Sequence, residues 1–479
     1  MHRTALLSVL LLVAPAAFAT TPAPELDPVV EAVRETFQVP GVAVAIVKDG
    51  EVVLARGWGQ RELGRPEPVD AQTRFAIASQ TKAFTAASLS ILADEGKLSL
   101  DDRVIDHLPW FQMSDPYVTR EMRLRDLLTH RSGLALGAGD LLFWPTTSHS
   151  TRDIVRRLRH VPLETSFRAQ YAYDNVLYAV AQLVIEEVSG QPFGEFVRER
   201  IFVPVGMAGA VINSDHLPAG ANAATGHAQP GFAGPLVTVP PMTWSNNQGA
   251  GGIYASVNDI AKWMRLQLDG GVLGKNEDGS ERRLFSAGRH RGMWELVTPI
   301  GIPAEPAVPA LAPALPQFAG YGEGWSVSEY RGHKLVWHTG GWPGMVSRVT
   351  LVPQLDLGIV VLTNQEVGAA FNAITMEALD HYLGAPDTDW VAAYAAAVAK
   401  SREKADEKWA AHAKARDRRS TPSLPLSGYA ATYADPWYGE VTLAEEGGRL
   451  VMRFAHTAAL AGTLEHWQHD TFLVRWHDR

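Results

Sequence analysis

Ser79-Gln80-Thr81-Lys82 puts a hydroxyl and an amine three residues apart at the head of an apolar stretch. Three residues along a helix is about one turn, so the two side chains share a face. The following residues, Ala83 to Ala93, include Phe84, Leu89, Ile91 and Leu92 and no charge, which predicts a helix running through the core with Lys82 buried. Burying an ammonium is costly, and desolvation lowers its pKa toward the range of a useful base. The serine, at the helix start, gains the free N–H groups and the positive end of the dipole. A second Ser-x-x-Lys, Ser401 to Lys404, lies in a charged run and reads as solvated helix surface.

Two further groups could join this pair. Tyr173-Asp174-Asn175 is the only Tyr-x-Asn in the chain and precedes an apolar helical stretch, Val176 to Val188, that ends at Ser189-Gly190. A phenol near an amine can relay protons, and an amide can orient a carbonyl. Anchoring of a helix start is the plainer role for such a tyrosine. His338-Thr339-Gly340-Gly341 follows a strand-like run, Lys334 to Trp337, and its glycines let another backbone approach closely. His290-Arg291-Gly292 has no strand before it and is set aside.

In this order the three motifs resemble those of the penicillin-recognising serine hydrolases. The best fit is the class C β-lactamase branch, which also holds D,D-carboxypeptidases, D-aminopeptidases and esterases. Leu127 to Leu134, Gly251 to Tyr254 with Asp259, and Tyr321 to Trp325 resemble further blocks of that family, and the likeness spans Val30 to Leu383. It implies Ser79 as the acyl-accepting nucleophile and Lys82 and Tyr173 as sharing the base work. The backbone N–H groups of Ser79 and Gly341 would form the oxyanion hole. Asn175 would hold Lys82 and the substrate amide. His338, with Thr339 and Gly340, would line the far wall and meet a substrate carboxylate or the proton relay.

The chain departs from the β-lactamase pattern at His338, where those enzymes mostly carry lysine. A histidine gives a weaker, pH-dependent positive potential. That argues against efficient antibiotic hydrolysis and leaves peptides with D-residues, or small esters, as better substrates. Asp174 stands where a small residue is common. It either sets a negative charge beside Tyr173, opposing phenolate formation, or points to solvent or caps the next helix.

Composition fits an exported enzyme. Arg3, the apolar Ala5 to Val13 and Ala17-Phe18-Ala19 read as a secretory leader over residues 1–19, bound for the periplasm or beyond. The apolar run is too short to span a bilayer, so no stable membrane anchor is expected. The chain has 479 residues and no cysteine, which excludes disulfides and thiolate metal sites. Its formal charge of −9 gives no reason to expect nucleic acid. No cofactor and no metal are expected; His466 and His469 lack neighbouring ligands. The expected partner is a small-molecule or peptide substrate.

The elements that must position the motifs are also legible. Val42 to Val47 and Val52 to Trp58 flank Asp49-Gly50, a strong hairpin turn. Val346 to Val352 and Leu357 to Thr363 form a second pair. With the strand before His338 these predict one antiparallel sheet, with helices from Ala83, Val176, Asp259 and Ala370 around it. Gln229 to Trp244 and Gly301 to Phe318 are proline-rich and read as loops, one of them a candidate border of the site. Asp389 to Arg419 reads as an amphipathic helix and Ser420 to Pro425 as a linker; Glu440 to Leu443, Leu450 to Phe454 and Thr471 to Trp476 read as strands.

The expected fold is α+β: an antiparallel sheet flanked by helices plus an all-helical region, β-lactamase/transpeptidase-like, with a small C-terminal β domain resembling an incomplete lipocalin-like barrel. The expected layout is a leader over 1–19, a hydrolase domain over 20–385, a helical linker over 386–425 and a small β domain, partial or truncated, over 426–479. The expected function is cleavage of an amide or ester through an acyl-enzyme on Ser79. A β-lactamase is one alternative, and a noncatalytic penicillin-binding or sensor protein is another. An α/β-hydrolase is disfavoured because no Gly-x-Ser-x-Gly occurs, and a zinc hydrolase because no His-Glu-x-x-His occurs.

Overall fold

The computed structural model describes residues 22–232 and 234–478, so the expected leader lies outside the described residues. The frame is an eight-stranded antiparallel sheet. Helix α1 (Asp27–Phe37) precedes strands β1 (Gly41–Lys48) and β2 (Glu51–Gly59). Their turn has Asp49 and Gly50 both at positive φ, 52° and 74°, as a type I′ hairpin demands. Helices α2 (Thr81–Asp94), α3 (Val176–Ser189) and α4 (Val257–Leu268) follow. Next come β3 (Thr298–Pro299), β4 (Ala319–Tyr321), β5 (Ser326–Tyr330), β6 (His333–Trp342), β7 (Met345–Val352) and β8 (Leu357–Thr363). The order across the sheet is β3-β4-β5-β6-β7-β8-β1-β2.

The sheet separates two cores, and period-2 alternation assigns residues to each. In β1, Ala43, Ala45 and Val47 face the core that holds α2, α3 and α4. Val42, Val44 and Ile46 face the other core, with α1 and helix α5 (Gly368–Leu383). The small alanines admit α4 closely against the sheet. Phe84 of α2 stacks on Trp263 of α4 with ring centroids 4.1 Å apart, locking the central helix to that layer.

The helix starts follow capping rules. Ser256 and Asp259 form a reciprocal capping box at the head of α4. Asp259 also accepts from the Gly209 amide, so its place in the Gly251 to Asp259 segment is structural. α3 ends on Gly190 at φ 72°, the left-handed stop that glycine supplies.

Helix α6 (Trp390–Ala415) is shorter than the expected Asp389 to Arg419, because Asp389 is its N-cap, accepting from the Ala392 amide, and Arg416 turns extended, its guanidinium donating to the His466 carbonyl. Trp390 anchors it by donating to Asp380 at 3.0 Å. Ser401 and Lys404 are exposed on it, as expected for surface. Beyond lies a separate five-stranded antiparallel meander, β9 (Ala431–Asp435), β10 (Gly439–Glu446), β11 (Arg449–Phe454), β12 (Thr457–Gln468) and β13 (Thr471–Trp476). Its first and last strands do not pair, so the sheet is open. The stretch Gln229 to Trp244 is more regular than a loop, since Val237–Val239 pairs with Gly226–Ala228. Among the described residues no helix is long and apolar enough to cross a membrane.

Candidate active site

Ser79 sits in a 3-10 turn, Ala78–Gln80, between the two-residue strand Phe75–Ala76 and α2. Ala78, just before it, holds φ at +50°, a left-handed conformation that costs a non-glycine residue about 1 kcal/mol or more. The turn is clamped from the sheet. A Cβ on Gly340 would lie 2.0 Å from the Ile77 carbonyl oxygen, so only glycine lets β6 come this close. Ser347 of β7 donates to the same oxygen at 3.1 Å. Gly341, by contrast, has nothing within 4 Å of its Cβ position and faces open space.

Lys82 is fully buried and surrounded by acceptors. Its Nζ lies 3.1 Å from Ser79 Oγ, 2.7 Å from Asn175 Oδ1 and 3.0 Å from the Ala250 carbonyl oxygen. Burial brings its pKa down to about 7, against the opposing pull of the Asp140 and Asp174 carboxyls. The Tyr173 ring centroid is 4.8 Å from the same nitrogen. The nearby Ser79 favours the ionised Tyr173 phenol, yet burial dominates and raises its pKa well above the ordinary value. Of the two candidate bases, the amine is therefore the one tuned to neutral pH.

Asn175 heads α3 and is oriented from behind. Its Nδ2 donates to both Asp140 oxygens, at 3.1 and 3.3 Å, which turns Oδ1 toward Lys82. Burial raises Asp140 to about 6. Asp174 is buried, so it does not point to solvent. It accepts from Ser132 Oγ at 3.1 Å, its amide donates to His130 Nδ1 at 3.2 Å, and burial raises it to about 7.

The Leu127 to Leu134 segment supports this loop. The His130 ring lies 4.1 Å from the Tyr173 ring and 4.4 Å from that of Tyr321. Asp126, buried, takes both Arg131 and Arg168, which ties the His130 loop to the chain leading to Tyr173. Breaking such a buried cluster on one side leaves an uncompensated charge.

His338 is buried, and burial, reinforced by the nearby Lys82 charge, holds it down to about 3. Nδ1 donates to the Thr339 carbonyl at 2.6 Å, so Nε2 accepts from the Tyr321 hydroxyl at 2.7 Å. The ring is neutral and both nitrogens are engaged, so the expected contact with a substrate carboxylate has no cation behind it.

These groups open onto a cleft of about 350 Å³. Ser79, Tyr173, Asn175, His338, Thr339 and Gly341 line it, and Trp144, Tyr171 and Trp244 wall it. Every expected site residue except Lys82 and Gly340, which sit beneath, is on this surface. Residues that the sequence did not single out for a site role include Asp140, Trp144, Tyr171, Trp244, His130 and Tyr321. Tyr321 and His130 lie in segments resembling family blocks, which was their only signal; Trp244 ends the proline-rich stretch that was a candidate border.

The C-terminal sheet reaches this wall. The Ser148 amide donates to the His456 carbonyl at 2.9 Å, and Ser148 Oγ lies 2.9 Å from His456 Nδ1. The His149 and His456 rings lie 4.0 Å apart. Asn246 donates to the His149 carbonyl and to Thr147, and Trp144 packs on Trp244 at 5.0 Å. Among the described residues no group of three or more metal-binding side chains occurs; His466 Nε2 donates to the His469 carbonyl at 2.8 Å.

Comparison with known proteins bears on the family and the fold. The profile of the family described as Beta-lactamase matches residues 26–383, and that of a "Domain of unknown function (DUF3471)" matches residues 415–479. The chain is similar to the unguisins hydrolase ungD of Aspergillus violaceofuscus, 28% identical with 91% of this chain and 80% of that protein covered. Protein flp of Staphylococcus aureus is 25% identical over 71% of this chain and 62% of its own length. Among solved structures, the octameric penicillin-binding protein homologue from Pyrococcus abyssi superposes with a TM-score of 0.63 at 23% identity, covering 91% of this chain and 88% of that one. The D-amino acid amidase from Ochrobactrum anthropi SV3 superposes with a TM-score of 0.59 at 22% identity, covering 75% and 98%.

Proposed function

The chain belongs to the Beta-lactamase family and is a serine hydrolase of that fold, and we propose that it cleaves an amide or ester bond through an acyl-enzyme on Ser79. The observation that carries this reading is the 3.1 Å contact between Ser79 Oγ and a buried lysine whose pKa lies near 7.

In this mechanism neutral Lys82 accepts the Ser79 proton as Oγ attacks the substrate carbonyl. The Ser79 and Gly341 amides stabilise the oxyanion, each worth ~3 kcal/mol in comparable hydrolases. The Tyr173 phenol, protonated, donates to the departing nitrogen or oxygen and is reprotonated from the Lys82 ammonium. Water then hydrolyses the ester by the reverse relay. Asn175 holds the amine and the substrate amide, while His338, Thr339 and Gly340 shape the wall.

A peptide with D-residues, or a small ester, is the substrate class we favour; similarity to an amidase and to a protein named as a hydrolase supports it. The neutral His338 weighs against β-lactam hydrolysis as the main activity. We further propose export by a leader over residues 1–19, a hydrolase domain over 20–385, a helical linker over 386–425 and a β domain over 426–479.

The test is a fluorophosphonate probe followed by peptide mass analysis. The probe mass is expected on the Ser79 peptide and absent in Ser79→Ala, together with all hydrolysis. Labelling that persists in the alanine variant contradicts the assignment.

A further inference from the structure

The wall of the cleft carries chemistry that narrows the substrate. Trp144, Trp244 and Tyr171 give it an aromatic surface, while the Trp337 ring packs on the opposite face of the sheet. None of the residues lining it brings a fixed charge. The three acceptors around Lys82 Nζ use all three ammonium donors, so its charge is committed beneath the surface. His338 has both nitrogens occupied. Arg348 is bound to Thr350 and to Asn372 of α5, on the opposite layer of the sheet, with its guanidinium 4.8 Å from the Trp337 ring.

From these residues we infer that the cleft takes an acyl donor whose carboxyl end is blocked (an ester, an amide or an internal peptide bond) and which carries an apolar or aromatic group. This rests on the acyl-enzyme reading above and specifies its substrate. A carboxylate one residue beyond the scissile bond would enter an aromatic, partly desolvated space lined by the Thr339 and Ser326 hydroxyls but by no cation, at a cost that outweighs its dispersion contacts. A blocked end has no charge to desolvate, and its carbonyl and N–H can pair with the main-chain groups of β6 that extend past the last β5 partner, Ser326 opposite Trp337. The aromatic walls reward a flat or apolar group. An exopeptidase that releases a free C-terminal residue is therefore disfavoured for this cleft.

The test uses one acetylated dipeptide of D-phenylalanine and D-alanine in two forms, free carboxylate and carboxamide. Each competes with the fluorophosphonate probe for Ser79 in the full-length protein, so the readout does not depend on turnover. The carboxamide is expected to protect at a concentration at least about a hundredfold lower than the carboxylate. Equal protection by both, protection by neither, or better protection by the carboxylate overturns the inference while labelling of Ser79 leaves the acyl-enzyme reading standing. Absence of Ser79 labelling without competitor overturns both.

Discussion

The Asp140 carboxylate and the Asn175 amide nitrogen are 3.1 Å apart, and this contact decides which way the Asn175 amide faces. With Nδ2 held by Asp140, only Oδ1 is left for Lys82, at 2.7 Å. A flipped amide would set N–H against the ammonium.

Two substitutions separate geometry from charge at this position. Asp140→Ala removes the acceptor and frees the amide, and kcat/KM is expected to fall about ten- to a hundredfold, the worth of a charged hydrogen bond. Asp140→Asn keeps an acceptor but removes a charge that favours the Lys82 ammonium. The lysine pKa then drops further, and the acidic limb of the kcat/KM profile moves to lower pH. Steady-state pH profiles of both variants check this; an acidic limb moving upward in Asp140→Asn contradicts it.

The clamp between sheet and nucleophile turn is a stability element. Gly340→Ala would push a methyl into the Ile77 carbonyl, and overpacking of this kind costs about 1–3 kcal/mol. Gly341→Ala meets nothing within 4 Å and should leave the melting temperature unchanged. Thermal unfolding of the two variants side by side is the measurement, with a lower Tm expected only at position 340.

The C-terminal sheet is expected to set the shape of the aromatic wall through His456. His456→Ala removes the side-chain contact to Ser148 and the ring on His149. KM for an aryl-acyl ester should rise several-fold with kcat for an acetyl ester unchanged. His456→Asn, which keeps a partner for Ser148 Oγ, should restore part of the loss. An equal loss on both esters would point to general destabilisation instead.

Much of this was legible from residue order. Asp49-Gly50 fixed the hairpin because two consecutive positive φ values suit few dipeptides. The uncharged run after Lys82 identified a buried helix, since no exposed face was available. Strand β12 went unread because Thr457–Gln468 mixes polar and small residues on a half-exposed sheet. Asp140, Trp144 and Trp244 lie in irregular stretches with no period to follow. Their roles come from contacts such as Asp140 to Asn175, 35 positions apart, and Lys82 to Ala250, 168 apart. The tautomer of His338 is set by the Thr339 carbonyl, and its Nε2 is engaged by Tyr321, which the sequence offered only as part of a family-like block.

The acylation rate of Ser79 by the fluorophosphonate probe, followed across pH 5 to 9, asks whether Lys82 is the base. Burial sets its pKa near 7, and the neutral amine is the active form, so the rate should rise with pH and reach half its plateau at about 7. Lys82→Ala should lose that step and fall by orders of magnitude. A wild-type rate that climbs only above pH 9, in step with a phenol, or a Lys82→Ala variant that acylates at the wild-type rate, contradicts the mechanism.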